Sequence, residues 1–285
     1  MAGVKDVIKR WLLPPGVHDA LLTFISKEDS SGSGLSAPEK NLLKGNALLK
    51  DVHQRQRCFI LGAGPSVRQQ DITNLAGEIV LSVSNTFVHP DYASIQPRYH
   101  VLPPILSHHG QNLPVDNFVT WLKAMDLGTG DAELFFHIGD RLLIEDHSLF
   151  VDRTIHWLDY SSRWNGQFDL PLDLSSIPPV WSVSEVAISV ALFLGFEKIY
   201  LLGFDHDWFN GLNNYFFDVH KDHAARPTEN TLRQVDSEYQ MRRHADIFKK
   251  YKYLYSIKGN IYNANANMDS YVDVFPKVKF EELFT

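Results

Sequence analysis

The hydrophobic positions of this chain form short continuous runs separated by polar stretches. Runs of this length and continuity predict strands that are buried on both faces, as in a parallel sheet. Five runs fit this description: CFILG at 58–62, EIVLSVSN at 78–85, ELFFHIG at 133–139, KIYLLGFD at 198–205 and YKYLYSI at 251–257. The pattern therefore predicts an α/β fold with a doubly wound, mostly parallel sheet and ligand sites at the carboxyl ends of its strands.

Helical patterns occupy the segments between these runs. In SVSEVAISVALFLGF (182–196), Ser184 is the predicted N-cap, Glu185 stands in the first turn and Gly195 ends the helix. Residues 4–25 read as two short amphipathic helices with basic flanks, a pattern that also suits peripheral contact with a membrane surface. The Ser- and Gly-rich residues 27–40 predict a linker. We expect an extension with its linker at 1–52 and a catalytic domain at 53–285, with a lid at about 206–240.

Composition narrows the functional classes. The chain has 285 residues, is 44% hydrophobic and carries a formal net charge of -7, so it lacks the basic field that gathers nucleic acid. Its one cysteine, Cys58, lies inside an apolar run and cannot form an intramolecular disulfide. Neither an apolar stretch of membrane-spanning length nor a signal-peptide core is seen, which predicts a cytoplasmic protein.

The strand at 58–62 runs into a glycine turn with the sequence GAGPS, which is typical of phosphate binding. Gly62 and Gly64 let backbone approach a ligand, while Pro65 and Ser66 suit the start of a helix. A Walker-type P-loop needs a Lys that this turn lacks. A dinucleotide site needs a third small residue and a later carboxylate, where this chain has Val67 and Asn85. The turn therefore favours a nucleotide other than NAD.

Several anchors together give the chain a family resemblance. ILGAGPS (60–66) and SVSN (82–85) resemble the first two strand ends of the bacterial lipooligosaccharide sialyltransferases and of the motility-associated-factor glycosyltransferases. SVSEVAISVALFLGFEKIYLLGFD (182–205), YFFD (215–218) and YNANANMDSYVDVFP (262–276) continue the similarity. The resemblance implies a Rossmann-like, metal-independent, inverting glycosyltransferase with a CMP-activated acidic sugar as its donor and a lipooligosaccharide or other surface glycan as its acceptor.

The resemblance also implies roles for individual residues. Tyr215 would bind the leaving phosphate, and His223, in preference to His220, would act as the general base. Ser182 and Ser184 would contact the donor sugar or its carboxylate. The other expected donor-binding residues are Gly62, Ala63, Gly64, Pro65, Ser66, Asn85, Gly203, Phe204 and Asp205.

Other functions stay open at this stage. Pro178-Pro179-Val180-Trp181 stands where the family has an Arg, so Kdo or another CMP-linked sugar fits as well as sialic acid. Asp205-His206-Asp207 resembles the D-x-D of metal-dependent UDP- or GDP-sugar transferases, although a metal is not the favoured reading. A 6-hydroxymethylpterin pyrophosphokinase and a non-catalytic nucleotide-sensing module are further alternatives. Assembly into homo-oligomers and a place near the inner membrane are compatible with the sequence.

Overall fold

The structure, a computed structural model, describes residues 35–105, 115–160, 172–207, 215–217, 237–268, 270 and 272–285. Contacts divide the chain into Met1–Ala37 and Pro38–Thr285, and the sheet belongs to the second unit. The helices predicted within 4–25 lie outside the described residues. Helix α1, Ala37–Lys44, begins inside the stretch that the sequence predicts as linker, so part of that stretch is helical.

A seven-stranded parallel sheet organises the described chain. In spatial order it runs β5-β4-β3-β2-β1-β6-β7, and each neighbouring pair is parallel. The chain builds outward from β1 to β5, returns across the sheet and adds β6 and β7 on the other side of β1. This order confirms the predicted doubly wound fold. The strands are β1 Arg57–Leu61, β2 Val80–Val83, β3 Tyr99–Val101, β4 Glu133–His137, β5 Ile155–Leu158, β6 Lys198–Leu202 and β7 Ile261–Asn263.

Five further helices and several short 3-10 turns connect the strands. The helices are α2 Tyr92–Ile95, α3 Val115–Gly128, α4 Arg141–Asp146, α5 Val183–Phe193 and α6 Ser237–Lys258. The 3-10 turns are Gly45–Leu49, Pro65–Gln69, Ile72–Leu75, Ser84–Val88, Ile138–Asp140 and Glu281–Leu283. The first two strands thus lead into 3-10 turns of five residues, so neither is followed by a long α-helix whose dipole would attract a phosphate.

The core lies on both faces of the sheet, because successive side chains of β1 pack into two different hydrophobic clusters. Cys58 and Ile60 pack in a cluster with the buried residues of α5 and α6. Phe59 and Leu61 pack in a second cluster with Val67 and with residues near the carboxyl terminus. Since successive side chains of a strand point to opposite faces, β1 is covered on both, which explains its unbroken apolar sequence.

The prediction of a strand at 251–257 is wrong, because these residues form the last turns of α6. Along this segment Ile247, Tyr251 and Leu254 are buried while Lys252 is exposed, a spacing of three to four residues that belongs to a helix. The helix ends where Gly259 takes φ +63 and donates its N–H to the Tyr255 carbonyl at 2.7 Å. Strands β3, β5 and β7, which have only three or four residues each, are not among the predicted runs.

Within the described residues, none of the helices combines the length and the apolar character that crossing a bilayer requires.

Candidate active site

Strands β1 and β6 lie side by side, yet the chain leaves them toward opposite halves of the sheet. The last paired residues are Leu61 and Leu202. Beyond them the carboxyl ends open into two turns, Gly62–Ser66 and Gly203–Asp205, which therefore meet at the crevice where open α/β sheets bind their ligands. The fold thus brings together two groups of residues that are distant in sequence and that the sequence assigns to one site.

The glycines of these turns allow the backbones of the two turns to contact each other closely. Gly62 donates its N–H to the Leu202 carbonyl at 2.7 Å, and Gly64 donates to the Gly203 carbonyl at 2.8 Å. A Cβ on Gly62 would lie 2.5 Å from the Gly203 oxygen. Gly203 itself has φ +69, and a Cβ there would meet Val67 at 2.5 Å. Two of the amide groups expected to face a ligand are thus already bonded within the protein.

Asp205 closes the glycine turn from the β6 side. Its Oδ2 accepts a hydrogen bond from the Ser66 N–H at 3.0 Å, and it lies 2.3 Å from where a Cβ on Gly64 would be. The residue is 4% exposed, and this burial raises the pKa of the carboxyl, whereas the Ser66 amide acts to lower it. A carboxylate of the protein therefore occupies the position at which a glycine turn ordinarily receives an anion.

Asn265, which the sequence analysis does not single out, fixes the Asp205 turn. Its Oδ1 accepts from the Phe204 N–H at 3.1 Å, and its Nδ2 donates to the Phe204 carbonyl at 3.0 Å. Its own N–H donates to Asn263 Oδ1 at 3.0 Å. The available signal was the alternation of Asn and Ala directly after a short apolar run, because amide side chains at a strand end can bond neighbouring backbone.

Asn85 follows β2, the strand beside β1, and it is held from α3. Trp121 donates its indole N–H to Asn85 Oδ1 at 2.7 Å, and both side chains are buried. This contact fixes the amide orientation, with the oxygen toward α3. The residue thus lies at the strand end where the sequence places it.

Ser182 and Ser184 begin α5, but the cap is Ser182 and not Ser184 as the sequence predicts. Ser182 and Glu185 form a capping box, in which the Ser184 N–H donates to Ser182 Oγ at 3.3 Å. The Glu185 carboxylate accepts in return from the N–H groups of Trp181 and Ser182 at 2.8 and 2.7 Å. Ser184 is fully buried. The first turn of α5 is therefore satisfied within the protein, and Ser184 contributes to structure.

A chain of side-chain hydrogen bonds joins this helix start to the end of β6. Ser184 donates to Ser182 Oγ at 2.8 Å, and Tyr251 donates to Ser184 Oγ at 2.5 Å. His206 Nε2 lies 2.7 Å from the Tyr251 oxygen, whose single proton is already committed, so the imidazole donates. Burial lowers the pKa of His206 to about 3, which keeps it neutral. His206, which stands between Asp205 and Asp207 in the sequence, thus turns its ring into the core against α6.

Lys250 neutralises the buried carboxylate at the start of α5. Its Nζ lies 3.1 Å from Glu185 Oε1 and 2.7 Å from Asp246 Oδ2, and it also donates to the Pro179 carbonyl. Lys250 is 5% exposed and Glu185 is 2% exposed. Burial raises the pKa of Glu185, and Lys250 acts to lower it. A cation from α6 therefore compensates the carboxylate charge at the start of α5.

Tyr215 reaches the glycine turn through its neighbour. Phe216 donates its N–H to the Ala63 carbonyl at 2.9 Å, and Arg68 Nε donates to the Phe216 carbonyl at 2.7 Å. The half-buried rings of Tyr215 and Phe217 stack with centroids 5.1 Å apart. The segment 215–217, which forms a bend, is thus bonded to the turn that begins the site. The predicted bases, His220 and His223, lie outside the described residues.

Within the part of the chain that the structure describes, no three His, Cys, Asp or Glu side chains come together as a metal-binding group. The role of Asp205 that the structure shows is its hydrogen bond to the Ser66 N–H, which closes the glycine turn.

A scan against protein-family models finds no match to the chain, and a search of curated proteins finds none either.

Gly64→Ala should destabilise the fold, because the new Cβ would overlap both Asp205 and the Gly203 backbone. We expect a loss of about 1–3 kcal/mol in the free energy of unfolding, as for other overpacked positions. Gly45→Ala is the matched control, since a Cβ there meets nothing within 4 Å. Urea unfolding of both variants measures the difference, and equal stabilities would contradict the turn-to-turn contact.

Lys250→Met should destabilise the protein in a pH-dependent way. At neutral pH it leaves the Glu185 charge buried and uncompensated, a change that costs about 3–5 kcal/mol. Without Lys250 the pKa of Glu185 rises further, so the folded variant gains protons relative to the unfolded chain as the pH falls. The deficit relative to wild type should therefore shrink toward the unfolded carboxyl pKa of about 4.3.

Urea titrations across this pH range test the pH dependence, with Lys252→Met, at an exposed position of the same helix, as the control. A deficit of constant size at every pH would mean that Lys250 stabilises through packing alone.

Proposed function

We propose that the protein is an inverting glycosyltransferase that transfers an acidic sugar from a CMP-activated donor to a surface glycan, such as lipooligosaccharide. The observation that carries the proposal is the convergence of the glycine turn, Asp205 and the segment 215–217 at the junction of β1 and β6. Junctions of this kind bind nucleotides in open α/β sheets. The resemblance of these same segments to CMP-sugar transferases supports the choice of donor.

In the proposed reaction an acceptor hydroxyl oxygen attacks the anomeric carbon of the donor sugar. The bond from that carbon to the phosphate oxygen breaks, and CMP leaves with the electron pair. The acceptor proton passes to a histidine base, for which we propose His223, with His220 as the second choice. Because attack comes from the face opposite the leaving group, the anomeric configuration inverts.

Tyr215 is the described side chain best suited to assist departure of CMP. Its neighbour Phe216 is bonded to the Ala63 carbonyl, and we therefore assign Tyr215 to the border of the proposed nucleotide site. A neutral hydroxyl donor stabilises the charge that develops on the phosphate as the bond breaks, without repelling the acidic sugar. Asn85 remains the proposed nucleotide contact on the β2 side.

Tyr215→Phe should lower kcat about a hundredfold, as expected when one donor to a developing anion is removed. The measurement is product formation from CMP-sugars, followed by mass spectrometry. Tyr262→Phe is the control, because Tyr262 of β7 stacks on Tyr200 of the neighbouring β6. An unchanged kcat for Tyr215→Phe would remove Tyr215 from the reaction.

The donor class is tested by protection of the wild-type protein against heat. CMP should raise the melting temperature without added metal, because a ligand that binds only the folded state stabilises it. A shift with UDP or GDP that requires manganese would identify a metal-dependent sugar transferase instead. Magnesium-dependent AMP formation from ATP and a hydroxymethylpterin would identify a pyrophosphokinase.

A further inference from the structure

The Asp205 carboxylate is buried with one of its oxygens unused. Oδ2 accepts the Ser66 N–H, whereas Oδ1 has no hydrogen-bond partner within the described residues. Burial raises the pKa of the carboxyl, and the nearby Ser66 side chain acts to lower it, yet Ser66 Oγ also completes no hydrogen bond of normal geometry within the described residues. The two residues are 4% and 3% exposed. Buried polar atoms are costly to leave unpaired, so two of them on neighbouring residues at the ends of β1 and β6 point to a ligand.

The charge of Asp205 decides which part of a nucleotide fits here. A phosphate placed against the glycine turn would meet a carboxylate and would find the N–H groups of Gly64 and Ser66 already bonded. Like charges in a buried site repel strongly, since the interaction is poorly screened. The turn is therefore unsuited to the phosphate, although its sequence resembles a phosphate loop.

A ligand hydroxyl matches both unused atoms. It can donate its proton to Asp205 Oδ1 and accept the proton of the Ser66 hydroxyl, because each hydroxyl has one donor and two acceptor sites. Hydrogen bonds to a carboxylate are also stronger than neutral ones. The hydroxyl-rich part of a nucleotide is its ribose.

We propose that Asp205 and Ser66 together bind a ribose hydroxyl of the nucleotide. This inference rests on the proposed nucleotide site. It sets the orientation of the bound nucleotide: the ribose lies against the glycine turn, and the phosphate lies away from Asp205. Asn265 forms hydrogen bonds with both backbone groups of Phe204, the residue before Asp205, and these bonds restrict the position of the carboxylate. The site therefore selects ribonucleotides over their deoxy forms.

The test is calorimetric binding of CMP, 2′-deoxy-CMP and 3′-deoxy-CMP to the full chain. We expect the wild type to bind CMP about ten- to a hundredfold more tightly than at least one deoxy form, the range for a lost hydrogen bond to a charged group. Asp205→Asn and Ser66→Ala should each reduce this preference at least severalfold. Asp207→Asn removes a neighbouring charge from the same turn and should leave the preference unchanged.

Three results would overturn the inference. One is equal wild-type affinity for CMP and for both deoxy forms. Another is a ribose preference that survives in both Asp205→Asn and Ser66→Ala, each of which is checked for folding by its thermal transition. The third is an Asp205→Asn variant that binds every form more tightly by the same factor, which would place the phosphate beside Asp205.

The same measurements with AMP, GMP and UMP, each beside its deoxy forms, separate this inference from the proposed function. Ribose preference with one of these nucleotides and none for CMP would overturn the CMP donor and support the ribose site. CMP binding without ribose preference would overturn the ribose site alone. Binding of none of the four ribonucleotides would overturn both.

Discussion

The contact between the turns that follow β1 and β6 is the constraint on which the rest of the site depends. Gly62 and Gly64 bond to the backbone of β6 and Gly203, and Asp205 bonds back to Ser66. These reciprocal bonds fix the carboxyl ends of two strands that lead to opposite halves of the sheet. A larger residue at Gly62, Gly64 or Gly203 would shift both turns, because a Cβ at any of these positions would overlap neighbouring atoms. The candidate site is thus rigid where the two halves meet.

Buried polar groups extend this rigidity to the helices above the sheet. The hydrogen bonds from Ser182 through Ser184 and Tyr251 to His206 connect the start of α5, the body of α6 and the end of β6. Glu185 and Lys250 add a buried ion pair between the same two helices. Such groups contribute little net stability, but they are costly to mispair. They therefore specify one arrangement of the elements that lead into the predicted lid.

The hydrophobic pattern predicts the long central strands and fails at the short ones. β1, β2, β4 and β6 are continuous apolar runs, and they lie where expected. β3 contains His100, which is fully buried and whose Nδ1 lies 2.7 Å from Ser82 Oγ. A strand of three residues with a polar centre depends on pairing with its neighbours, which no local pattern records. At residues 251–257 the pattern predicts a strand where none exists, because an aromatic-rich run suits a strand or a buried helix equally.

The candidate site shows the same limit at the level of chemistry. The motif GAGPS correctly indicates that backbone comes very close to something at this turn, because only glycine permits it. It does not indicate whether that neighbour is a ligand or another part of the chain. Here the neighbour is the turn of β6, and the charge beside Ser66 comes from Asp205, which is 139 residues away. A glycine turn next to a fixed carboxylate favours hydrogen-bond donors over anions. The same short motif is therefore suited to a phosphate in one protein and to a ribose in another. The difference depends on the charge of the residue that the folded sheet brings beside it.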